Sequence, residues 1–289
     1  MAEPRELKRV RSALFTPGTE AARLRKSVGS GSDVCIFDLE DSVPADRVAQ
    51  ARRTVTDAVD ELASSARIWV RVHEASDPRM AEDVQALPLD RIEGLVLPKV
   101  SSERDVAACS SAVAAAHGRQ GLPYMAIIEN AAGVLNADRI ARSPGVALLA
   151  LGRFDLAAEI GIDPERRTPA LSAAQALVVL ASGAARLPPP LDSPWLRIPD
   201  LDGLVQFANA ARHEGFGGML LIHPSHVAAV NQAFAPTPQE IAWAREILGA
   251  SATAAAGGRG AFAHDGRMVD EAIVRRARGI LREMGEKGG

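Results

Sequence analysis

Two stretches decide how this chain reads: PYMAIIENAAG at residues 123–133 and VALLALGRFDLAAEIG at residues 146–161. Each is an apolar run that closes on a carboxylate, Glu129 in the first and Asp155 in the second. The runs are continuous rather than alternating, the pattern of parallel strands covered on both faces. A run built for an interior that ends in a charge places that charge at the carboxyl end of a strand.

Working outward, six further runs read the same way: SALFTP (12–17), DVCIFDLE (33–40), RIWVRVH (67–73), GLVLPKV (94–100), PPLDS (189–193) and GMLLIHP (218–224). The PPLDS run is short and proline-rich, and counts as a strand because helical stretches precede and follow it. Ala-, Arg- and Glu-rich helical segments separate the runs. Eight such units in about 225 residues predict an α/β fold, a (β/α)8 TIM-type barrel with a C-terminal helical extension or lid. No GxGxxG opens a helix after the first strand, against a dinucleotide-binding sheet. The expected division is a barrel over residues 1–235 and an extension over 236–289. Helices are expected near Thr237–Ala250 and Val269–Glu283, with the Ala- and Gly-rich stretch between them a flexible connector.

Composition narrows the function. Of 289 residues 47% are hydrophobic, sufficient for a large core without metal or disulfide staples. Cys35 and Cys109 match no metal-ligand spacing and are expected to be buried thiols in a reducing compartment. The formal net charge of −3 argues against a nucleic-acid surface, while leaving room for a phosphate-bearing ligand on a local basic patch. The charged start, MAEPRELKRVRS, lacks the apolar segment of a signal peptide, and no run is long enough to span a membrane. The expected location is the cytoplasm.

In a barrel of this kind, chemistry collects where the strands end. Those ends carry Asp38 and Glu40, then Arg71, Lys99, Glu129, Asp155, Asp192 and His223. Glu129 and Asp155, with the remaining positions left to water or substrate oxygens, suit Mg2+. The competing reading makes Asp155 a helix cap. Arg71 closes WVRV, where a guanidinium needs an anion: a substrate carboxylate or enolate oxygen, or an internal partner in Asp38 or Glu40. Asp38 and Glu40 share a side of their strand, where they hold metal-bound waters, orient Arg71 and Lys99, or form a network of structural ion pairs. No GxSxG and no His/Cys cluster is present, so neither a serine nucleophile nor zinc is expected.

These motifs, in this order, resemble the HpcH/HpaI aldolase and citrate lyase superfamily, in its citrate lyase β-subunit-like branch. The resemblance runs from ALFTPG (13–18) and DVCIFDLEDSVPADRVAQAR (33–52) through WVRVH, GLVLPKV, AIIENAAGVLNADRIA and LGRFDLAAEIG. It continues to LDSPWLRIPDLDGL, LLIHPSHVAAVNQAFAPTPQEIAWAREIL and GRGAFAHDGRMVDEAIVRRARGIL (258–281). It implies Mg2+-dependent making or breaking of a carbon–carbon bond in a short acyl-CoA, with an oxo acid as the other fragment. By the same resemblance Glu129 and Asp155 are the metal ligands, and Arg71 binds the oxo acid or steadies the enolate. Lys99, Glu40 and Asp38 join it on the substrate side. Asp270, with Asp265 as the alternative, is the acid/base on a lid that reaches a neighbouring subunit of a homotrimer. Asn130 stands where the branch commonly has Thr, and His73 where it has Asn. The Arg it often carries in the helix before the seventh strand is not evident, and Gln175 stands nearby. The alternatives are an Mg2+-dependent 2-oxo acid aldolase that does not use CoA and a binding subunit without catalysis.

Overall fold

The computed structural model describes residues 7–118, 121–166, 168–256 and 261–284. Eight parallel strands close into a barrel in sequence order. They are β1 (Ser12–Pro17), β2 (Val34–Asp38), β3 (Ile68–Arg71), β4 (Gly94–Leu97), β5 (Tyr124–Ile128), β6 (Val146–Leu151), β7 (Leu191–Asp192) and β8 (Gly218–Leu221). Around them lie α1 (Ala21–Val28), α2 (Val48–Leu62), α3 (Arg79–Ala86), α4 (Glu103–His117) and α5 (Ala131–Leu135). These are followed by α6 (Ala137–Ala141), α7 (Arg153–Ile160), α8 (Pro169–Ala184), α9 (Leu201–Glu214) and α10 (Val227–Ala233). The barrel is the (β/α)8 type that the eight runs predict.

The strands sort their side chains by the two-residue period. Ala13, Ile36, Trp69, Val96, Met125, Ile127, Leu148, Ala150 and Leu220 form a strand-only core that fills the interior. Their neighbours Leu14, Phe37, Val70, Leu97, Ala126 and Leu149 pack outward with helix residues such as Val55, Val59, Val106 and Val178. The helices meet them with one apolar face: α2 buries Val48, Ala51, Val55, Ala58 and Val59, the spacing of a single helical stripe. Helix α4 starts on a capping box between Ser102 and Asp105.

Parity explains the site. One step beyond the top interior residues Ile36, Trp69 and Ile127, the next inward positions are Asp38, Arg71 and Glu129. The strand register pairs Asp38 with Arg71. Several strands are shorter than their apolar runs: β2 ends at Asp38, β4 at Leu97 and β5 at Ile128. Glu40, Lys99 and Glu129 therefore sit in the turns that follow. Strand alternation does not place Glu40 beside Asp38, as the longer strand had implied; the turn does, with the Glu40 N–H bonded to Asp38 Oδ1 at 3.0 Å.

Residues from Ala235 onward form a second compact unit. It contains α11 (Pro238–Ala256), a hairpin of β9 (Phe262–His264) and β10 (Arg267–Val269), and α12 (Glu271–Glu283). Ala244, Ile247, Val269, Val274, Ala277 and Leu281 form its own core. The expected flexible connector is corrected here. SATAAA extends α11 because alanine is the strongest helix former, and FAHDGRMV is a hairpin. Only residues 257–260 of that connector lie outside the described residues. Asp265 (φ 48°) and Gly266 (φ 73°) make the two-residue turn, the positive-φ pair that Asp-Gly favours. Among the described residues no helix is long and apolar enough to cross a membrane.

Candidate active site

A cleft of about 350 Å³ opens at the carboxyl ends of the strands; Asp38, Arg71, Glu129, Gly152 and Asp155 are in its wall. Glu129 is buried at 5% exposure. Its Oε1 accepts the Lys99 N–H at 2.7 Å. Its other oxygen lies against Gly152, where an added Cβ would sit 2.5 Å away, so only glycine leaves the carboxylate its place. Burial first, then the nearby charge of Asp155, pushes the Glu129 carboxyl up to about 8, against the hydrogen bond from Lys99.

Asp155 is exposed, in the first turn of α7. It does not cap that helix: Gly152 holds the cap position and offers no side chain. Two carboxylates in one cleft wall, with the charge of Asp155 disfavouring ionisation of buried Glu129, suit a hard dication. Among the described residues no third His, Cys, Asp or Glu completes a protein-only cage. The residues thus fit an ion such as Mg2+ that keeps water and substrate ligands.

The turns beneath these acids are tied down. Asn130 caps α5 by accepting the Gly133 N–H at 2.7 Å, and donates to the Lys99 carbonyl at 3.1 Å. Lys99 has φ 52°, unusual for a side-chain-bearing residue. Glu129 and Asn130 hold the two sides of that residue's backbone. Glu159 of α7 accepts the Ala131 N–H at 2.8 Å, joining the turns that carry Glu129 and Asp155. Ser193 accepts the Arg153 N–H at 2.8 Å and donates to the Leu151 carbonyl at 2.6 Å, closing the Gly152 turn.

Arg71 has the internal partners that its place at a strand end calls for. Its guanidinium lines the cleft and is also engaged by Asp38, with Nε to Oδ1 and Nη2 to Oδ2 both at 2.6 Å. Nη1 donates to Asp41 at 3.0 Å and lies 3.1 Å from Glu40 Oε2, without hydrogen-bond geometry. Phe15 covers one face, 4.7 Å from the ring centre. Burial raises the Asp38 carboxyl, but the bonds from Arg71 outweigh it and hold its pKa below the usual value. Glu40 goes the other way, raised by burial despite Arg71 and Lys99. Lys99 Nζ pairs with Glu40 at 2.5 Å and Asp41 at 3.3 Å. Glu40 and Asp38 thus hold the two cations in place.

Three features escaped the sequence reading. Buried Arg153 pairs with the fully buried Asp192 at 3.1 Å, with Gln175 3.3 Å from the same carboxylate, and stacks on Phe207. The signal was present: an acid closing an apolar strand needs a cation, and Arg153 follows the neighbouring strand. Phe154, beside Asp155, lines the cleft. A second cleft of about 330 Å³ shares Phe15, Pro17 and Ile222 with the first and adds Arg23, Lys26 and His223. The basic end of α1 announces it only once β1 and β8 are known to be neighbours.

His73 lies away from the cleft. Its Nδ1 is 2.6 Å from Asp83, which Arg52 also binds. His223 is half-buried, with Nδ1 2.6 Å from Ser225 Oγ. In the C-terminal unit, Asp270 caps α12, accepting from Ala272 and Ile273 through Oδ1. Asp265 is 88% exposed in the hairpin turn.

Relatives share this architecture. The chain is 32% identical over 299 residues to the L-malyl-CoA/beta-methylmalyl-CoA lyase of Cereibacter sphaeroides, covering 94% of each chain. The structure of CitE from Mycobacterium tuberculosis in complex with magnesium, acetoacetate and coenzyme A is 29% identical. It matches with a TM-score of 0.78, covering 96% of this chain and 99% of that one. A citrate lyase beta subunit from the same organism, complexed with oxaloacetate and magnesium, matches at 26% identity and a TM-score of 0.68. The match covers 79% of this chain and 98% of that one. Residues 11–224, nearly all of the barrel, match the family as a whole, and the chain belongs to the HpcH/HpaI aldolase/citrate lyase family.

Proposed function

We propose that the protein is an Mg2+-dependent carbon–carbon lyase acting on a short 3-hydroxyacyl-CoA thioester of the malyl, citramalyl or citryl kind. The reaction also runs in reverse as a condensation. The observation that carries this reading is the Glu129–Asp155 pair at the ends of adjacent strands, with Glu129 pushed up to about 8 by burial and by Asp155.

Glu129 and Asp155 would hold the ion, which supplies Lewis-acid polarisation of the oxo and carboxylate oxygens of the oxo acid. The chain's own residues do the rest. Gly152 caps α7 without a side chain, and with the Arg153 N–H taken by Ser193 the Phe154 and Asp155 N–H groups are left for a substrate carboxylate. Three of the five N–H bonds of Arg71 are committed to Asp38 and Asp41. The remainder can donate to the oxygen that gains charge as the thioester fragment becomes an enolate. In cleavage, the 3-hydroxyl loses its proton, the C2–C3 bond breaks, and the enolate is protonated at C2 to give the acyl-CoA. We assign that proton transfer to Asp270 of a neighbouring subunit in a cytoplasmic homotrimer, where the C-terminal unit acts as a lid. Arg23, Lys26 and His223 in the adjoining cleft suit the phosphates of CoA, which favours a thioester over a free hydroxy-oxo acid.

The test is an Mg2+-dependent cleavage assay on CoA thioesters and on the corresponding free hydroxy acids. Turnover of the thioesters alone is the expected result. Turnover of the free acids instead identifies a CoA-independent aldolase, and turnover of neither by folded, Mg2+-loaded protein removes the enzymatic reading.

A further inference from the structure

Asp155 rides on the first turn of α7, a helix of eight residues whose N-terminal position, Gly152, has no side chain to cap it. Arg153 fastens that turn, and both of its attachments lead to the end of β7. Its N–H donates to Ser193 Oγ at 2.8 Å, and its Nη2 lies 3.1 Å from Asp192 Oδ2 and 3.4 Å from Oδ1. Arg153 is buried and Asp192 fully so. Phe207 of α9 covers the guanidinium, 4.4 Å from the ring centre. Arg153 is not among the residues that line the cleft.

Neutralising Asp192 does not by itself call for this arrangement. The carboxylate also accepts the Ser193 N–H at 2.7 Å and lies 3.3 Å from Gln175 Nε2 of α8. Arg153 Nε is buried without a partner, a cost that a side chain chosen only for stability would avoid. A buried ion pair is often no more stabilising than an apolar pair of its size, and its use is then to fix one arrangement over others. A cation arriving from α8, where Gln175 stands, would neutralise Asp192 equally well. Arriving from α7, it also ties the turn between β6 and Asp155 to β7. We infer that Arg153 is a positioning residue for the metal site: its side chain anchors the first turn of α7 on Asp192, and so fixes the Asp155 carboxylate and the Phe154 and Asp155 N–H groups relative to Glu129. The inference rests on the reading of Glu129 and Asp155 as the metal pair.

The test moves the cation without removing it, in the full chain. When Arg153→Met is combined with Gln175→Arg, the new guanidinium reaches Asp192 from α8, in the space that the first substitution vacates. In Arg153→Lys the charge stays on α7 with a looser hold, since an ammonium has neither the fork nor the stacking face of a guanidinium. Three quantities are measured: the melting temperature, the calorimetric affinity for Mg2+ with pyruvate present, and amide exchange under chelator at Leu156, whose N–H donates to the Gly152 carbonyl at 3.3 Å in the first turn. The double variant should melt within about 4 °C of the native protein. Its Leu156 N–H should exchange faster, and its Mg2+ affinity should be about 10- to 100-fold lower. Arg153→Lys should fall between the two in exchange and in affinity. Native exchange or native affinity in the double variant overturns the inference, reduces Arg153 to neutralising Asp192, and leaves the metal reading intact. Should the double variant not fold, Arg153→Lys decides alone, and native values there overturn the inference. Absence of Mg2+ binding by the native protein removes the metal reading, while Leu156 exchange, read without metal, still decides whether Arg153 holds the turn.

Discussion

Glu129 carries a large electrostatic burden. In metal-free protein its carboxyl is pushed up to about 8, above the ordinary 4.5, so the folded state keeps a proton that the unfolded chain has lost. Stability from this group therefore falls as pH rises from about 4.5 to about 8, by a few kcal/mol. Glu129→Gln should flatten that slope in thermal melts under chelator, and its advantage should be largest at pH 8. A slope unchanged by the substitution contradicts the assignment. Asp38 is the opposite case, lowered by Arg71 although burial opposes it. Asp38→Ala should cost about 3 kcal/mol by leaving Arg71 buried with only Asp41 and Glu40. Urea unfolding reads that loss. The acids at strand ends were legible from the sequence because a charge closing an apolar run is conspicuous. Which of them serve Arg71 was not, since that depends on turn geometry just past β2 and β4.

Backbone turns, more than strands, set the geometry. Ser193 clamps the Leu151–Arg153 turn from the next strand, and Asn130 and Glu159 fasten the start of α5. Ser193→Ala leaves a buried carbonyl and N–H without that partner, at about 1–3 kcal/mol. Because Asp155 rides on the same turn, Mg2+ affinity should fall along with the melting temperature. Asn130→Thr tests a different point: a threonine still caps a helix, so stability should drop by less than about 1 kcal/mol. The bond to the Lys99 carbonyl is lost, however, and a reduced Mg2+ affinity at near-constant stability is the expected outcome. The Asn130 departure from the family pattern thus has a local explanation in a cap that also holds Lys99. The Ala-rich stretch after Ala250 misled for a related reason: composition alone does not separate a flexible connector from a helix followed by a tight hairpin.

For the whole molecule, the eight-unit rhythm exposed the barrel even where β7 is only two residues long. The second cleft stayed hidden because it joins residues at the two ends of the barrel sequence, β1 with β8. If Asp270 serves a neighbouring subunit, mixing two inactive variants, Glu129→Ala and Asp270→Asn, through unfolding and refolding should restore part of the activity. Complete silence of the mixture would assign Asp270 to its own chain. The central claim, that Glu129 and Asp155 jointly hold Mg2+, is tested most directly by calorimetric titration of Mg2+ with pyruvate present. One site per chain is predicted for the native protein, abolished by either Glu129→Gln or Asp155→Asn in variants that melt as the native protein does. Undiminished binding in either variant, or no binding by the native protein, would contradict the account.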